Sequence, residues 1–296
     1  MQVTAVITTY KRTPAMVERA LTSVLNQTRP VAEIFVIDDS PLEYEQRHSV
    51  EQMVKGYADK CVTYIKTDGD LGACASRNIG LERASCEFIA FLDDDDEWLP
   101  EKIEKQLPLF SSPDIVLVYC GSYTVNDDKE TRAERKLNRH RGKVFDKLML
   151  ENFIESTSFP LIRTAALREI GGFDPLMPAS QDLDVWLRLS ERFEIDYVDE
   201  PLVCYHVHSG ERITRNYSKK IAGTKRIIEK NQDYLNSHPK ALAKLNHKLL
   251  MPYILLGDLS SAFSVWIKAV SLNFFDIKAN FKGFGRLIKG LIGMYK

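Results

Sequence analysis

Apolar and polar positions alternate along the N-terminal part of the chain in a pattern that predicts strands and helices in turn. Continuous apolar runs of strand length occur at Val3 to Thr8, Ile34 to Ile37, Val62 to Ile65, Phe88 to Leu92 and Ile115 to Tyr119. The segments between them carry apolar residues at helical spacing, and the first of these opens with an N-cap threonine and a proline at Thr13-Pro14. Buried strands that alternate with helices indicate an α/β fold with a mostly parallel, Rossmann-like central sheet flanked by helices.

The middle of the chain shows a weaker pattern. Residues from Asn126 to Gly142 are nearly all polar or charged, which predicts a solvated loop, with a cover over an acceptor site as the alternative. Beyond this stretch we expect a helix near residues 146–150, a strand near 157–162 and a helix near 182–192.

From about residue 218 the pattern is helical only. Two apolar stretches, 249–256 and 262–270, are separated by Gly257-Asp258 and predict a helical hairpin. We therefore predict two domains, an α/β domain over residues 1–217 and a C-terminal helical region over residues 218–296.

Composition excludes several classes of protein. Apolar residues make up 44% and charged residues 27% of the 296 residues, which is ordinary for a globular protein. The net charge of −1 gives no reason to expect a nucleic-acid partner. The five cysteines have no metal-type spacing and predict small buried thiols in a reducing compartment. We expect no signal peptide and no spanning helix, and hence a place in the cytoplasm or at the inner face of the cell membrane.

The last residues of the chain have a separate signature. Over residues 281–296 large apolar residues alternate with Lys282, Arg286 and Lys289, and no acid is present. This pattern predicts a basic amphipathic helix that makes peripheral contact with an anionic membrane surface. A helix packed on the rest of the protein is the alternative.

Unusual polar residues follow each of the first four predicted strands. They are Thr8 to Arg12, Asp38 to Ser40, Asp68 to Gly72 and Asp93 to Asp96. In open α/β sheets, ligands bind beyond the carboxyl ends of the strands. The sequence therefore predicts one ligand site at this edge of the sheet.

The acidic run Asp93 to Glu97 is the strongest chemical signal. Five adjacent acids repel one another, and a divalent cation would relieve that repulsion. Asp93 and Asp95 are two residues apart, so in extended chain their side chains lie on one side. Carboxylate oxygens suit Mn²⁺ or Mg²⁺, whereas a solvated acidic turn is the alternative. A glycine-rich phosphate loop is missing after the first strand, which argues against a dinucleotide enzyme, a P-loop NTPase and a nucleotidyltransferase.

These motifs resemble those of family-2 glycosyltransferases with the GT-A fold. The matching segments are Val6 to Arg12, Val36 to Ser40, Leu71 to Leu81, Phe91 to Trp98, Gly171 to Asp174 and Gln181 to Leu189. The resemblance covers roughly residues 2–215 and implies transfer of a sugar from a nucleotide-sugar donor, in most members a UDP-sugar.

The resemblance also implies a role for each matching residue. The residues expected to bind the nucleotide-sugar are Thr8, Tyr10, Arg12, Asp39, Arg77 and Asp94. The residues expected to hold the metal are Asp93, Asp95 and His208. Asp182 is expected to be the catalytic base that accepts the acceptor's proton, although Gln181 stands where the family usually has a second acid.

Simpler interpretations exist for three of these residues. Asp39 could end a strand, Asp182 could be an acid that stabilises a helix N-terminus, and Arg77 could lie on a helix surface. The resemblance implies an inverting glycosyltransferase that acts on a glycan or lipid-linked glycan acceptor in bacterial surface polysaccharide or glycan assembly. A catalytically inactive nucleotide-sugar-binding scaffold is the alternative.

Overall fold

The computed structural model describes residues 1–126, 130–207 and 216–294 of the chain. The chain divides into two compact units. The first comprises Met1–Leu148, Asn152–Pro175 and the described residues from Asp182 onward to 207; the second comprises Met149–Glu151, Leu176–Gln181 and the described residues from 216. The domain boundary expected between residues 217 and 218 stays a prediction.

The described residues form the strands and helices that the apolar pattern predicts, together with further elements. The strands are β1 Val3–Thr9, β2 Glu33–Asp38, β3 Val62–Lys66, β4 Phe88–Asp93, β5 Glu97–Trp98, β6 Ile115–Asn126, β7 Thr131–Glu134, β8 Leu161–Arg163 and β9 Glu194–Val207. The α-helices of the first unit are α1 Pro14–Leu25, α2 Arg47–Lys55, α3 Ala73–Arg83, α4 Lys102–Gln106, α5 Phe145–Leu150, α6 Thr164–Glu169 and α7 Gln181–Arg192. The last two residues of α5 and the first residue of α7 belong to the second unit. The helices of the second unit are α8 Tyr217–Lys230, α9 Gln232–Ser237, α10 Pro239–Leu255, α11 Leu259–Leu272 and α12 Ile277–Leu291.

The strands join into one mixed sheet in the order β3-β2-β1-β4-β8-β6-β9-β5, with β7 paired to β6. The four strands β3, β2, β1 and β4 are parallel, as predicted from their continuous apolar runs. The other half adds antiparallel pairs, because β8 runs against both β4 and β6. The α/β class, with helices beside a central sheet and a helical C-terminal region, is confirmed.

Close packing fixes the parallel half against its helices. Along β1 the side chains are buried from Val3 to Ile7, since both faces of the strand are covered. Gly80 of α3 lies so near this strand that a Cβ atom there would be 2.5 Å from Cγ1 of Val6. Helix and strand therefore approach through a residue without a side chain, which sets the position of α3 beside the sheet edge.

Three strands were not predicted: the two-residue β5, and β7 and β9. The polar stretch expected to be a solvated loop contains β7, whose four residues are all exposed and so give no alternating apolar signal. The long strand β9 includes Pro201, and its pairing with β6 has register shifts near Gly121. These irregularities interrupt the period of two on which strand prediction depends.

The helical hairpin predicted in the C-terminal part is confirmed. Gly257 has φ +78° and ends α10, and the Asp258 carboxylate accepts a hydrogen bond from the Ser261 amide at the start of α11. Helix α10 begins at Pro239, ten residues before the predicted stretch. Within the described ranges, all helices are too short or too polar to cross a bilayer.

The prediction of buried thiols is confirmed for four of the five cysteines, and the reducing compartment stays a prediction. All five cysteines are free, and four of them are buried, with Cys61 the exposed exception.

Lys102 is an unexpected buried charge in the first unit. Its side chain is fully buried, with Nζ 2.9 Å from Oε1 of Gln106 and 4.2 Å from the centroid of the Trp98 ring. Burial lowers the pKa of Lys102 to about 8, because the ammonium is poorly solvated there. The folded protein therefore loses this proton before the unfolded chain does, and stability should rise between pH 8 and about 10.4, the pKa of an unperturbed lysine.

We expect Lys102→Met to raise the free energy of unfolding at pH 7 by about 1–2 kcal/mol. The methionine side chain is similar in length to lysine and carries no charge that must be solvated. The advantage should shrink as the pH rises above 8, since the native lysine then becomes neutral. Denaturant unfolding at pH 7 and pH 10 measures both effects, with the exposed Lys60→Met as the control. If Lys102→Met changes the free energy of unfolding by the same amount at pH 7 and at pH 10, the lowered pKa of Lys102 is contradicted.

Candidate active site

The acidic run after β4 is folded into the protein and is not a solvated turn. Asp94 is 6% exposed and Asp96 is fully buried. The Asp96 carboxylate accepts hydrogen bonds from the Ser158 hydroxyl at 2.7 Å and from the His206 amide at 3.2 Å. The solvated-turn alternative is therefore wrong, and the acids are held in fixed positions by partners from distant segments.

Burial and mutual repulsion disfavour ionisation within this run. Burial raises the pKa of Asp94 to about 6, an effect that the charge of Arg12 opposes. Burial also raises the pKa of Asp96 well above its usual value, and the neighbouring charges of Asp95 and Asp93 act in the same direction. Additional positive charge at this place would relieve both effects.

Arg12 reaches the acidic run from the segment after β1. Its Nε donates to Oδ1 of Asp94 at 3.0 Å, and its Nη2 lies 3.6 Å from Oδ2 of Asp95. The predicted nucleoside-pocket residue Arg12 thus pairs with two predicted ligand-binding acids. This contact depends on the adjacent parallel strands β1 and β4, in which Thr8 lies opposite Asp93.

Arg77 of α3 binds the first acid of the run. Its Nη2 donates to Oδ1 of Asp93 at 2.7 Å, and the Thr157 hydroxyl donates to the same oxygen at 3.2 Å. Arg77 is only 6% exposed and its guanidinium lies 5.4 Å from the centroid of the Phe173 ring. The interpretation of Arg77 as a surface residue is therefore wrong.

Tyr10 joins the ends of two strands. Its hydroxyl donates to Oδ1 of Asp70 at 2.6 Å, and its amide donates to Oδ2 of Asp94 at 3.3 Å. The aromatic ring is exposed, and Nζ of Lys11 lies 5.1 Å from its centroid. An exposed ring at this edge offers a flat apolar face to a ligand.

Asp39 holds the segment between β3 and α3. Its carboxylate accepts hydrogen bonds from the Thr67 hydroxyl at 2.6 Å, the Leu71 amide at 3.1 Å and the Gly72 amide at 2.7 Å. The strand-ending role is therefore visible in the structure. Contact between Asp39 and a nucleotide base stays a prediction.

The predicted base Asp182 lies in the first turn of α7, where the helix dipole favours a negative charge. Asn152 donates a hydrogen bond from Nδ2 to Oδ2 of Asp182 at 2.7 Å. Six residues along the chain from Asn152, Ser158 donates to Asp96, and the preceding Thr157 donates to Asp93. The segment 152–158 therefore contacts both the candidate base and the acidic run.

The chemistry of the acidic run fits a divalent cation. Mg²⁺ and Mn²⁺ are bound in proteins by one or two carboxylates together with phosphate oxygens and water, and Asp93 and Asp95 could supply two such carboxylates. Over the described ranges, no group of three or more His, Cys, Asp and Glu residues is arranged to hold a metal by itself. The third expected ligand, His208, lies outside the described residues.

Several residues of this region gave no signal in the sequence. The Arg19 guanidinium donates to the Asp95 carbonyl at 3.0 Å. Asn152 and Ser158 bind acids that are 30 and 62 positions away along the chain. Such partners become visible only once the strands have been paired in three dimensions.

Comparison with known proteins identifies the class that this fold and site define. The family model for glycosyl transferase family 2 matches residues 4–171, which is more than half of the chain. The fold is that of a GT-A glycosyltransferase. The chain belongs to glycosyl transferase family 2.

Its relatives are glycosyltransferases from several prokaryotes. It is 26% identical over 209 residues to an uncharacterised glycosyltransferase of Methanocaldococcus jannaschii, covering 69% of this chain and 70% of the relative. It is also 26% identical over 227 residues to WcaA of Escherichia coli, a putative colanic acid biosynthesis glycosyl transferase, covering 73% of this chain and 76% of WcaA.

The fold is similar to that of TarS from S. aureus. The structure of TarS 1–349 in complex with UDP-GlcNAc superposes with a TM-score of 0.64 at 17% identity, covering 98% of this chain and 81% of that one. Against a longer TarS chain the TM-score is 0.66 at 15% identity, and this chain spans 55% of its length. At these identities the likeness shows the GT-A fold alone.

Proposed function

We propose that this glycosyltransferase moves a sugar from a UDP-sugar to a hydroxyl of a glycan or lipid-linked glycan, with inversion at the anomeric carbon. The observation that carries the proposal is the buried acidic run, bound by Arg12 and Arg77 at the ends of the parallel strands. WcaA, a relative named for colanic acid biosynthesis, and the binding of UDP-GlcNAc by TarS support a role in surface polysaccharide assembly and this type of donor.

In this proposal the nucleotide lies across the ends of β1 and β2. The exposed Tyr10 ring provides a flat face for the base, while Thr8 and the Asp39 turn line the same edge. Arg12 and Arg77 place two guanidinium groups beside the acids, where a diphosphate needs positive charge. Burial raises the pKa of Asp94, and Arg12 donates a hydrogen bond to its carboxylate. In this arrangement Asp94 faces the ribose.

The acids Asp93 and Asp95 would hold Mn²⁺ or Mg²⁺ together with oxygens of the donor diphosphate. When bound, such a cation supplies positive charge that offsets the charge developing on the leaving diphosphate. Arg77 already binds Asp93, so cation binding requires that the Asp93 carboxylate be shared between the two.

Asp182 would accept the proton of the attacking hydroxyl while the acceptor oxygen displaces the diphosphate. The hydrogen bond from Asn152 to Oδ2 would orient the Asp182 carboxylate for this role. One displacement of this kind inverts the anomeric configuration, and it needs no nucleophile from the protein.

A panel of nucleotide-sugars tests the proposal. We expect one UDP-sugar to bind in the presence of Mn²⁺ and to be hydrolysed slowly when no acceptor is present, with weaker binding in EDTA. Binding and hydrolysis are measured by calorimetry and by release of UDP. If all nucleotide-sugars fail to bind, with and without metal, the proposal is wrong.

Donor binding without hydrolysis or transfer to any acceptor would favour the alternative, a catalytically inactive scaffold that only binds the nucleotide-sugar. The retained acids Asp93, Asp95 and Asp182 favour the enzyme.

A further inference from the structure

The second unit exposes an unusual number of large apolar side chains. Of the 18 exposed large apolar residues in the described ranges, twelve lie between Leu256 and Met294. Phe275 is 89% exposed and Phe281 is 72% exposed. Single exposed apolar residues are common on soluble proteins, whereas a concentration of this kind marks an interaction surface.

Helix α12 carries two apolar stripes, and only one of them is used for packing. The packed stripe contains Gly283, Leu287 and Gly290. A Cβ atom at Gly283 would lie 2.7 Å from Cδ1 of Trp266, and one at Gly290 would lie 2.8 Å from Cγ2 of Ile254. The small residues thus let α12 lie close against α10 and α11.

The second stripe of α12 faces solvent. Its members recur every three or four residues, so they lie on one side of the helix. They are all exposed: Ile277, Phe281, Phe284, Ile288 and Leu291. The burial of one stripe already accounts for the docking of α12, and it leaves this larger stripe without a structural role in the described chain.

The exposed stripe continues onto the neighbouring helix. The Phe284 ring lies 5.5 Å from the Trp266 ring of α11, which lies 5.9 Å from the Phe263 ring. Phe274 and Phe275, both exposed, stand in the connection between α11 and α12. We call the set the C-terminal apolar surface; its members are Phe263, Ile267, Phe274, Phe275, Ile277, Phe281, Phe284, Ile288 and Leu291.

Basic residues accompany this surface. A third stripe of α12 consists of Lys278, Lys282, Arg286 and Lys289. No acid occurs from Ile277 to Met294. Long basic side chains beside a stripe of Phe, Ile and Leu are typical of helices that lie in the interface of an anionic bilayer.

We infer that the C-terminal apolar surface docks on a membrane that contains anionic lipids. The aromatic and aliphatic side chains would enter the acyl boundary, while the basic stripe would bind lipid phosphates. The surface begins at α11, well before the segment 281–296 that the sequence pattern marks.

Charge argues against a second copy of the chain as the partner. A two-fold contact through the same surface would place the basic stripe of one α12 near that of the other, with no acid on this helix to compensate. An anionic lipid surface would cover the apolar stripe with acyl chains and pair the basic stripe with lipid phosphates.

Vesicle flotation of the full chain tests the inference. We expect the protein to float with vesicles of phosphatidylcholine and phosphatidylglycerol, and much less with phosphatidylcholine alone. The double variant Phe275→Ser/Phe281→Ser should weaken partitioning by at least about tenfold, because two large side chains no longer enter the bilayer. Lys282→Glu/Lys289→Glu should weaken it to a similar extent, since charged residues near the surface each contribute to binding.

Matched variants separate this surface from non-specific effects. Lys240→Glu/Lys244→Glu makes the same change in net charge on the exposed side of α10, and Leu42→Ser/Leu176→Ser replaces two exposed apolar residues elsewhere. Both controls should float like the native protein, and thermal melting should show that all variants remain folded.

The inference is wrong if the native protein fails to float with either vesicle, or if the Lys240/Lys244 control loses as much binding as the Lys282/Lys289 variant. It is also wrong if analytical ultracentrifugation shows self-association that Phe275→Ser/Phe281→Ser abolishes while vesicle binding is absent, because the surface then joins copies of the chain.

Discussion

Asp182→Asn should reduce sugar transfer by about 10²–10⁴-fold while donor affinity stays within about twofold of the native value, because removal of a general base affects only the chemical step. The replacement is isosteric, and the new amide oxygen can still accept the hydrogen bond from Asn152. The measurement is the transfer rate under saturating donor and acceptor, together with the dissociation constant of the UDP-sugar identified by the panel.

The same helix offers a matched control. Glu191 is an exposed acid of α7, and Glu191→Gln should transfer at the native rate. If Asp182→Asn also transfers near the native rate, Asp182 is only an acid that stabilises the start of α7, which is the simpler interpretation of its position. Loss of donor binding in Asp182→Asn would likewise contradict its assignment as a base for the acceptor.

The parts of the fold that could be predicted are those whose signal is local. Strands β1 and β4 are buried along most of their length, so each appears in the sequence as a mostly apolar run of β-forming residues. The turn at Gly257-Asp258 was predictable because a glycine and a capping aspartate each act on adjacent residues. Exposed β7 and irregular β9 lack such a local signal, and their pairing with β6 fixes them instead.

The candidate site also contains features with a local signal in the sequence and features without one. The acidic run is visible in the sequence because five adjacent acids repel one another and a turn does not require so many. Its pairing with Arg12 and Arg77 depends on which strands are neighbours, and it could not be derived from spacing. The contact between Asn152 and Asp182 joins residues 30 positions apart, and neither residue type predicts the other.

The burial of the acidic run bears on the proposed cation. Asp94 and Asp96 are buried, and burial raises the pKa of both carboxyl groups above the usual range. Arg12 interacts with Asp94 and Asp95, whereas Arg77 interacts with Asp93. In the proposed mechanism, a cation that arrives with the donor diphosphate would add positive charge beside Asp95.

Asp95→Ala should therefore abolish the effect of Mn²⁺ on donor binding and lower transfer by at least about 10²-fold, because a metal contributes several kcal/mol of charge stabilisation. Arg12 keeps its closer contact with Asp94 in this variant, at 3.0 Å, so the fold of the sheet edge should persist. The measurement is calorimetric binding of the UDP-sugar with Mn²⁺ and with EDTA, with the exposed Asp114→Ala as the control.

If Asp95→Ala retains the native difference in donor affinity between Mn²⁺ and EDTA, the cation is held elsewhere. If the native protein itself shows no such difference, Arg12 and Arg77 alone neutralise the diphosphate, and the acidic run serves to position these two arginines.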